Sequence, residues 1–480
     1  MTNKKLTFNL EAKVFGDFDT IVCGAGTAGV VAALASARNG AKTLLIEKGY
    51  YLGGMMTMGN AGLTKFVKHG INSDEQFKIN EELKTNPENV QVVGGIPLEI
   101  TNDLIKNGDA IGTYGTGASY VYTDSHKFKI YLFEALKKAG VKIMLHSKVI
   151  KVLMDGTKIS GIIFDTKEGP MVAYAKYVVD ATGDADVSYL AGATCMHGAT
   201  EEDSVVKRGQ VPVGTMAPIG TMYRMGGIDY DKFFDCVKND PDRFFEHYYA
   251  MMGKEEFLKR LEDGDSVSVL VPLNDGIAGK LQVYTYPRKG IIIGCSVVRG
   301  QFDGTKADDL TEAEYHVLLE EWNNMERFRK ALPGFENAYI VDVPQAGIRE
   351  TRRVDGEYRL TMIDILKNED FYDTIALSAH PIDVSPRPKE CDEIPLAERA
   401  FFRVPYRSLV AKGIDNLLLA GRLISTTREA FGCTRVTVCC MATGEAAGTA
   451  AALLSKAGGK AKDIDVENLR ETLKKNGVKC

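Results

Sequence analysis

The chain contains 480 residues, of which 45% are hydrophobic and 26% are charged, as is typical of a globular protein with several structural units rather than of a disordered or fibrous chain. Its 59 lysines and arginines are outnumbered by 64 aspartates and glutamates, so it lacks the positive excess that nucleic-acid-binding proteins need. The nine cysteines are scattered without a Cys-x-x-Cys pair, which argues against a disulfide framework, a metal site or an iron–sulfur cluster. We find no signal-peptide pattern and no uninterrupted apolar run long enough for a bilayer, so we expect a cytoplasmic protein without a membrane span.

The first predicted elements form a βαβ unit of a parallel sheet, with the right-handed crossover that such units adopt. Its strand, helix and second strand are predicted at Asp19–Cys23, Val30–Arg38 and Lys42–Glu47. Gly24, Gly26 and Gly29 follow the first strand as G-x-G-x-x-G. In that pattern the first glycine permits a tight turn, the second lets the backbone approach a pyrophosphate, and the third packs helix against strand. Glu47 ends the second strand, where it can accept hydrogen bonds from both hydroxyls of a ribose, so the unit predicts binding of FAD or NAD.

The segment 61–117 loses periodicity and is rich in polar residues and glycine, with one helix predicted at Ser73–Lys84. We interpret it as an excursion near the active site or a subunit contact. Between residues 201 and 338 methionine and aromatic residues become more frequent, which indicates a substrate or cap domain. The other predicted helices are Asp124–Ala139, Thr311–Leu332 and Thr434–Lys456. The other predicted strands are Lys142–Leu145, Lys148–Met154, Ile159–Asp165, Met171–Ala175, Tyr177–Asp180, Lys280–Tyr286, Ile291–Val297 and Asn416–Ala420.

Three later motifs resemble those of flavoproteins of the glutathione-reductase type, and this resemblance favours FAD over NAD. The paired glycines of Leu52-Gly53-Gly54 would let the backbone run along the cofactor diphosphate, and Ala181-Thr182-Gly183-Asp184 directly follows a buried strand. The third motif is Asn416–Arg422 followed by Thr443–Gly448, a helix whose two glycines permit close packing and whose amides could stabilise negative charge on a reduced flavin. The predicted cofactor-binding residues are Gly24, Gly26, Thr27, Ala28, Gly29, Glu47, Lys48, Gly53, Gly54, Met55, Thr57, Val149, Ala181, Thr182, Gly183, Gly421, Arg422, Gly444 and Ala447.

With these motifs, the sequence resembles the large bacterial FAD-dependent oxidoreductase family, which is related in its FAD fold to the flavoprotein subunits of fumarate reductase and succinate dehydrogenase. The stretches that carry the resemblance are VVDATGDADVSYLAGA, IRETRRVDGEYRLTMIDIL, VPYRSLVAKGIDNLLLAGRLIS and the closing TGEAAGTAAALL. The resemblance implies an α/β protein with a discontinuous, Rossmann-like FAD-binding domain of the glutathione-reductase type. We assign residues 15–60, 118–200 and 339–480 to that domain, and residues 201–338 to a mixed α+β substrate or cap domain. The family does not define a substrate.

Arginines dominate the candidate substrate-binding residues. Arg349, Arg352 and Arg353 are crowded together with Glu350, and two interpretations are open. Arginine forks suit a carboxylate substrate, whereas the same cluster could be a structural network of ion pairs that anchors two domains.

Three further residues complete the predicted catalytic set. Arg428 and Arg435 flank the helix expected to meet the flavin, where either could neutralise the reduced cofactor or position a substrate. His380, close to Asp383, could donate or accept a proton, because histidine titrates near neutral pH. The predicted catalytic residues are Arg352, His380, Arg428 and Arg435, and no metal ligand is predicted.

The predicted activity is transfer of a hydride between flavin N5 and a small organic substrate, with a carboxylate as one candidate class. The enzyme would be a reductase of an activated double bond or a dehydrogenase of a C–H bond beside a heteroatom. No second G-x-G-x-x-G occurs, so NAD(P)H would dock directly or another protein would exchange the electrons. Two alternatives stay open, an FAD-carrying electron-transfer subunit of a larger complex and a non-redox FAD protein. A homo-oligomer is compatible with each.

Overall fold

The computed structural model of the chain describes residues 9–64, 66–68, 73–112, 120–244, 257–260, 268–272, 280–298, 300–342, 344–384 and 401–480. The strands are β1 (Lys13–Cys23), β2 (Thr43–Ile46), β3 (Leu63–Thr64), β4 (Ala110–Ile111), β5 (Tyr120–Thr123), β6 (Lys142–Met144), β7 (Lys148–Asp155), β8 (Lys158–Thr166), β9 (Gly169–Asp180), β10 (Cys195–His197), β11 (Ile219–Gly226), β12 (Ser268–Pro272), β13 (Lys280–Thr285), β14 (Ile292–Val298), β15 (Tyr339–Asp342), β16 (Arg352–Val354), β17 (Thr374–Ser378), β18 (Phe402–Pro405) and β19 (Leu417–Leu419). The helices are α1 (Thr27–Arg38), α2 (Ser73–Thr85), α3 (Pro87–Val90), α4 (Gly95–Lys106), α5 (Ser125–Lys138), α6 (Asp186–Leu190), α7 (Ser204–Lys207), α8 (Tyr230–Asn239), α9 (Pro241–Phe244), α10 (Ala307–Ala331), α11 (Met362–Lys367), α12 (Arg428–Thr434), α13 (Thr437–Ala457) and α14 (Val466–Lys475).

The larger sheet has seven strands and is parallel at its centre. β1 pairs in parallel with β2 on one side and with β9 on the other, as the buried apolar runs predict. β6 extends the sheet beyond β2, and β19 pairs in parallel with the end of β9. β7 and β8 add an antiparallel hairpin along the first half of β9. The result is a Rossmann-like α/β fold whose parallel strands end at one common edge.

Helices α1 and α13 pack tightly against each other beside this sheet. A Cβ atom placed on Gly444 would lie 2.3 Å from the carbonyl oxygen of Ala28, and one on Gly448 would lie 2.1 Å from that of Ala32. The two glycines therefore let the helix backbones touch, as their spacing predicts. α13 is long and apolar enough to cross a bilayer, but 89% of its apolar window is buried within the molecule, which is the environment of a core helix.

We expect Gly448→Val to destabilise the fold by about 3 kcal/mol, because the added side chain would meet backbone that cannot move without separating the helices. Thermal unfolding measures the loss. Ala457→Val is the matched control, since Ala457 is exposed at the end of the same helix and should tolerate the same isopropyl group. Equal melting temperatures for the two variants would show that α1 and α13 do not make this contact.

The smaller sheet is antiparallel and has five strands in the order β12-β13-β14-β11-β15. Helix α10 covers one face of it, burying Ala313, Val317 and Phe328 among other residues. The aromatic and methionine-rich composition of this region supplies a separate core that contains Met225, Phe233 and Phe335. The sheet is built from residues 219–342 and so extends four residues past the predicted cap segment, 201–338, because β15 belongs to it. The predicted domain limits stay a prediction, and the boundary at residue 118 lies outside the described residues.

The structure corrects three sequence-based elements. The strands predicted at Met171–Ala175 and Tyr177–Asp180 form one continuous strand, β9, because Lys176 between them remains extended and is exposed. The helix predicted at Thr434–Lys456 is interrupted, since extended backbone at Val436 separates α12 from α13. Helix α4 was not predicted, because its glycine- and proline-containing start resembles a turn. Its signal was the four-residue spacing of Ile96, Ile100 and Leu104, all buried.

Candidate active site

The first site feature is the glycine turn between β1 and α1. Gly24 has φ +94°, and a Cβ atom there would lie 2.5 Å from the Ala181 carbonyl oxygen; a Cβ on Gly29 would lie 1.7 Å from that of Gly24. By contrast, a Cβ on Gly26 meets no atom of a described residue within 4 Å. Among the described residues, no side chain caps the N-terminus of α1. The first amides of the helix, from Thr27 onward, therefore face open space suited to a pyrophosphate.

Glu47 follows the end of β2, and its carboxylate connects the glycine turn to the loop after β2. Its carboxylate accepts hydrogen bonds from the backbone nitrogens of Ala25 at 2.6 Å and Gly49 at 2.7 Å. Its carbonyl oxygen accepts from the Ser147 nitrogen at 2.8 Å, which brings the start of β7, with Val149, to the same edge. Contact of Glu47 or Val149 with a cofactor ribose stays a prediction.

The paired glycines lie directly against the glycine turn. Gly53 has φ +93° and donates from its nitrogen to the Ala25 carbonyl at 2.8 Å. A Cβ atom on Gly54 would lie 3.0 Å from the Cα of Gly26. Thr57 is buried, with its hydroxyl donating to the Leu52 carbonyl at 2.5 Å. Only glycine permits this approach, so the pair widens the backbone surface that lines the open space at Gly26.

The turn after β9 is held by charge. Arg422 donates to the Gly183 carbonyl oxygen at 2.8 Å and to the Asp184 carboxylate at 2.6 Å, while Lys48 lies 3.8 Å from the same carboxylate. Burial would raise the pKa of Asp184, but Arg422 and Lys48 hold it below its usual range. The turn that contains Ala181 and Thr182 is thereby fixed at the edge shared with the glycine turn. Lys48 and Arg422 thus have protein partners in the structure, and their cofactor contacts stay predictions.

The C-terminal motif, which contains Gly421 and the start of α13, packs against α1 at Ala28. Gly421, with φ +82°, would place a Cβ atom 2.9 Å from the Cβ of Ala28, and its nitrogen donates to the Thr443 hydroxyl at 3.1 Å. Gly444 packs on α1, and Ala447 is fully buried. These residues serve packing of α1 against α13 in the structure. A direct contact of Gly421, Gly444 or Ala447 with a cofactor stays a prediction.

These features together fit FAD. The open space at Gly26 is bounded by the uncapped start of α1 and by Gly54, and Glu47 stands at the end of the neighbouring strand. A diphosphate suits the helix N-terminus, whose partial positive charge favours anions. The residues present therefore match a dinucleotide that runs along the carboxyl edge of the sheet.

The arginine-rich segment forms a buried ion-pair network. Glu350 accepts from Arg353 at 2.7 Å, from the Nε of Arg428 at 3.1 Å and from the backbone nitrogen of Ala217 at 2.7 Å. Arg353 and Arg428 are both at most 1% exposed. The network joins β16, α12 and the approach to the smaller sheet, which corresponds to the structural interpretation of the cluster.

Arg352 points away from this network. As successive side chains of β16 alternate, it contacts the turn after β9 while Arg353 faces inward. Arg352 donates to the Asp184 carbonyl at 2.9 Å and to Asp186 at 3.1 Å, and its guanidinium lies 4.4 Å from the centre of the Tyr189 ring. The structure therefore separates Arg352 from Arg428, which the sequence had grouped as catalytic.

The smaller sheet approaches the paired-glycine turn of the larger sheet, and the residues around this approach are here called the crevice. Gly220 of β11 and Gly347 exchange backbone hydrogen bonds of 3.1 and 2.9 Å. A Cβ atom on Gly347 would lie 3.3 Å from the Met55 methyl group, so this bridge is next to the paired-glycine turn. The Arg349 guanidinium lies flat on Gly220, 2.7 Å from where a Cβ would stand. The crevice therefore places an arginine close to the predicted flavin contact at Met55.

A second arginine reaches the same crevice from the break between α12 and α13. Arg435 donates to the Asp383 carboxylate at 2.8 Å, and its Nε is buried with no hydrogen-bond partner among the described residues. Burial lowers the pKa of Arg435 and the nearby Arg349 adds to the shift, whereas Asp383 and Glu350 oppose it. Two guanidinium groups are thus close enough to repel each other.

The sequence model of the FAD dependent oxidoreductase family matches residues 19–473, nearly the whole chain. The chain belongs to this family. FAD is its cofactor and oxidation–reduction is its chemistry, as the motifs predicted. The Rossmann-like sheet and the open space at Gly26 are consistent with membership of this family.

Curated relatives share shorter stretches with this FAD-dependent oxidoreductase. Thiamine thiazole synthase from Pyrococcus horikoshii is 29% identical over 201 residues, which are 40% of this chain and 63% of that protein. Digeranylgeranylglycerophospholipid reductase from Methanococcus aeolicus is 30% identical over 187 residues, 38% of this chain and 43% of the relative. NADH:fumarate oxidoreductase from Klebsiella pneumoniae is 24% identical over 201 residues, 35% and 20% of the two chains. The matched region is less than two thirds of each relative, and their chemistries differ.

Sequence reasoning missed the aromatic wall of the oxidoreductase's crevice. Tyr122, Tyr284 and Tyr286 pack together on the face of the smaller sheet that also carries Met222 and Cys295. Cys295 is close enough to Arg349 for the guanidinium to oppose the rise that burial causes in its pKa, so this face borders the crevice. The signal was the alternation of aromatic residues along the strand predicted at Lys280–Tyr286.

His380 lies in the loop after β17 and is partly buried. Its Nδ1 is 2.7 Å from the Pro381 carbonyl oxygen, and because a carbonyl only accepts, Nδ1 is the protonated nitrogen in this contact. That bond fixes the ring orientation three residues before Asp383, the partner of Arg435. A catalytic role for His380 stays a prediction.

Proposed function

We propose that this FAD-dependent oxidoreductase transfers a hydride between its flavin and a small organic carboxylate held by Arg349 and Arg435. The observation that carries the proposal is the pair of neighbouring guanidinium groups in the crevice beside Met55, of which Arg435 has a buried Nε without a partner among the described residues. When bound, FAD supplies the hydride chemistry. The protein residues would bind and orient the substrate.

Electrostatics favour an anion at this place. Arg349 and Arg435 repel each other, and the carboxylate paired with Arg435, Asp383, is 61% exposed and so largely screened by water. Glu350 is occupied by Arg353 and Arg428, and both Nη atoms of Arg428 lack hydrogen-bond partners among the described residues. A substrate carboxylate would relieve this positive excess through charge-assisted hydrogen bonds.

The aromatic wall supports binding of the organic part of the substrate. Tyr122 and Tyr284 have ring centres 4.9 Å apart, and the Tyr286 hydroxyl accepts from Arg224 at 2.8 Å and from the Ser125 nitrogen at 3.2 Å. These contacts hold the three rings in place, each at most 5% exposed, so a substrate bound beside them would be shielded from water. His380 is the proposed proton donor or acceptor. Electrons would be exchanged with NAD(P)H or a partner protein.

The test is an anaerobic titration of the flavin spectrum with unsaturated, hydroxy and amino acids, each compared with its methyl ester. Arg435→Gln should weaken binding of the acid by roughly 10- to 100-fold, the value of a charged hydrogen bond, and leave the ester unchanged. FAD content should not change. Arg435→Lys should restore part of the loss because the charge returns without the fork.

Arg352→Gln is the matched control, since its guanidinium is held at the turn after β9 and should affect acid and ester alike. An equal loss of acid and ester binding in Arg435→Gln would contradict the proposed carboxylate site. So would loss of FAD in that variant, which would make Arg435 a cofactor contact instead.

A further inference from the structure

The longest described helix, α10, exposes a continuous apolar stripe to solvent. Tyr315 is 56% exposed, Leu318 48%, Leu319 40% and Trp322 55%. Their spacing of three, four and seven residues places them on one side of the helix, opposite the side that packs on the smaller sheet. Large apolar side chains that adjoin one another on a surface mark a contact with another molecule more often than scattered ones do.

The apolar stripe lies at the middle of α10, between charged residues at the two ends of the helix. α10 runs from Ala307 to Ala331, and the four apolar residues lie at its middle. Exposed Asp308 stands in the first turn and exposed Lys330 in the last, on the same side as the stripe. The exposed side of α10 therefore carries the acidic residues Asp308 and Glu312 before the stripe. After the stripe it carries Glu326, paired with Arg329, and then Lys330, so the first end is acidic and the last end is basic.

This arrangement is complementary to itself when the second helix runs in the opposite direction. In an antiparallel pair centred between Leu318 and Leu319, Tyr315 of one copy meets Trp322 of the other, and Leu318 meets Leu319 across the axis. Asp308 then lies beside Lys330, and Glu312 lies beside Glu326 with its partner Arg329. A parallel pair would instead place like charges together. Arg329 adds little to the basic end, because it is already bonded to Glu326 at 2.6 Å and to the Ala338 carbonyl.

From this self-complementarity we infer that α10 is the twofold interface of a homodimer, with a second copy of this chain as its partner. A two-fold axis requires each patch to match itself, which the acid–apolar–base order satisfies. The 25-residue helix is about 38 Å long, so two copies crossing at a shallow angle have a long contact to which neighbouring loops can add. Tyrosine and tryptophan at the centre are the residue types that carry most binding energy in interfaces. The inference is independent of the proposed substrate.

The test is the mass of the FAD-loaded protein in solution, measured by light scattering over a dilution series. We expect twice the chain mass of 52.5 kDa at high concentration. Trp322 is the single tryptophan of the chain, so its fluorescence should shift to longer wavelength as dilution separates the copies and exposes it. Trp322→Glu should raise the dissociation constant roughly 30-fold or more.

Charge reversal separates a specific antiparallel pair from general stickiness. Asp308→Lys or Lys330→Asp alone should weaken the dimer, and the double variant should restore it, because the pairing is reversed rather than removed. Val213→Glu is the control, since Val213 is 57% exposed outside α10 and should leave the mass unchanged. A monomer at every concentration, or a dimer unaffected by both Trp322→Glu and the single charge reversals, would overturn the inference. A monomer that associates only with another protein would do the same.

Discussion

Replacing Gly26 with valine is expected to yield a folded protein with less than about a tenth of the normal flavin content. The valine side chain would start into the open space in front of α1, where a Cβ atom on Gly26 meets no atom of a described residue within 4 Å. The fold should therefore tolerate it, whereas a diphosphate approaching the first amides of the helix would collide with it. The ratio of flavin absorbance to protein absorbance gives the flavin content. A thermal unfolding transition shows whether the variant is folded.

Two further variants, one near the end of α1 and one in the glycine turn, act as controls. Ala37→Val adds the same group near the other end of α1, half-buried and remote from the glycine turn, and should keep its flavin. Gly29→Ala should instead reduce folding, since its Cβ would lie 1.7 Å from the Gly24 carbonyl oxygen. Normal flavin content in Gly26→Val would place the cofactor diphosphate elsewhere.

Removing the Glu350 carboxylate should have the largest effect on stability. Glu350 is 2% exposed and is shared by Arg353 and Arg428, so Glu350→Ala leaves two buried guanidinium groups without their anion. Breaking a buried ion pair in this way costs about 3–5 kcal/mol. Chemical denaturation followed by far-ultraviolet circular dichroism measures the loss, and the expected result is a large fall in the midpoint.

Glu350→Gln separates charge from volume, because it keeps the shape of the side chain and should lose nearly as much stability as the alanine variant. Glu357→Ala is the matched control. Glu357 is exposed in the same segment, and its removal should change stability by no more than about 0.5 kcal/mol. A stable Glu350→Ala protein with impaired substrate binding would show instead that these arginines bind a ligand.

The buried arginine network limits which arginines are available to a substrate at the crevice. Because Arg353 and Arg428 are committed to Glu350, the groups that can meet a substrate are those at its border, Arg349 and Arg435. Both come from segments that join the FAD sheet to the cap sheet or to α13. The proposed substrate position thus depends on the relative placement of the two sheets.

Much of the cofactor site follows from the sequence, since its determinants are local. The turn at Gly24, Gly26 and Gly29 requires only a strand, a tight bend and a helix in succession, and buried runs such as β2 can pair only within a covered parallel sheet. The position of Glu47 can also be predicted, because Glu47 stands at the end of the next strand. These features were predicted from short-range pattern alone.

The proposed substrate site, by contrast, depends on tertiary structure. Arg352 and Arg353 are neighbours in the chain, yet the alternation of β16 sends one to Asp186 and the other to Glu350. Arg428 meets Glu350 although the two residues are 78 positions apart in the sequence, and Arg435 lies at the point where the helix breaks before Val436. Which charges pair depends on how distant segments pack, and a sequence of arginines spaced along one segment does not encode those distances. The sequence by itself determined the fold and the cofactor, whereas packing between the two sheets decided which arginines are left for a substrate.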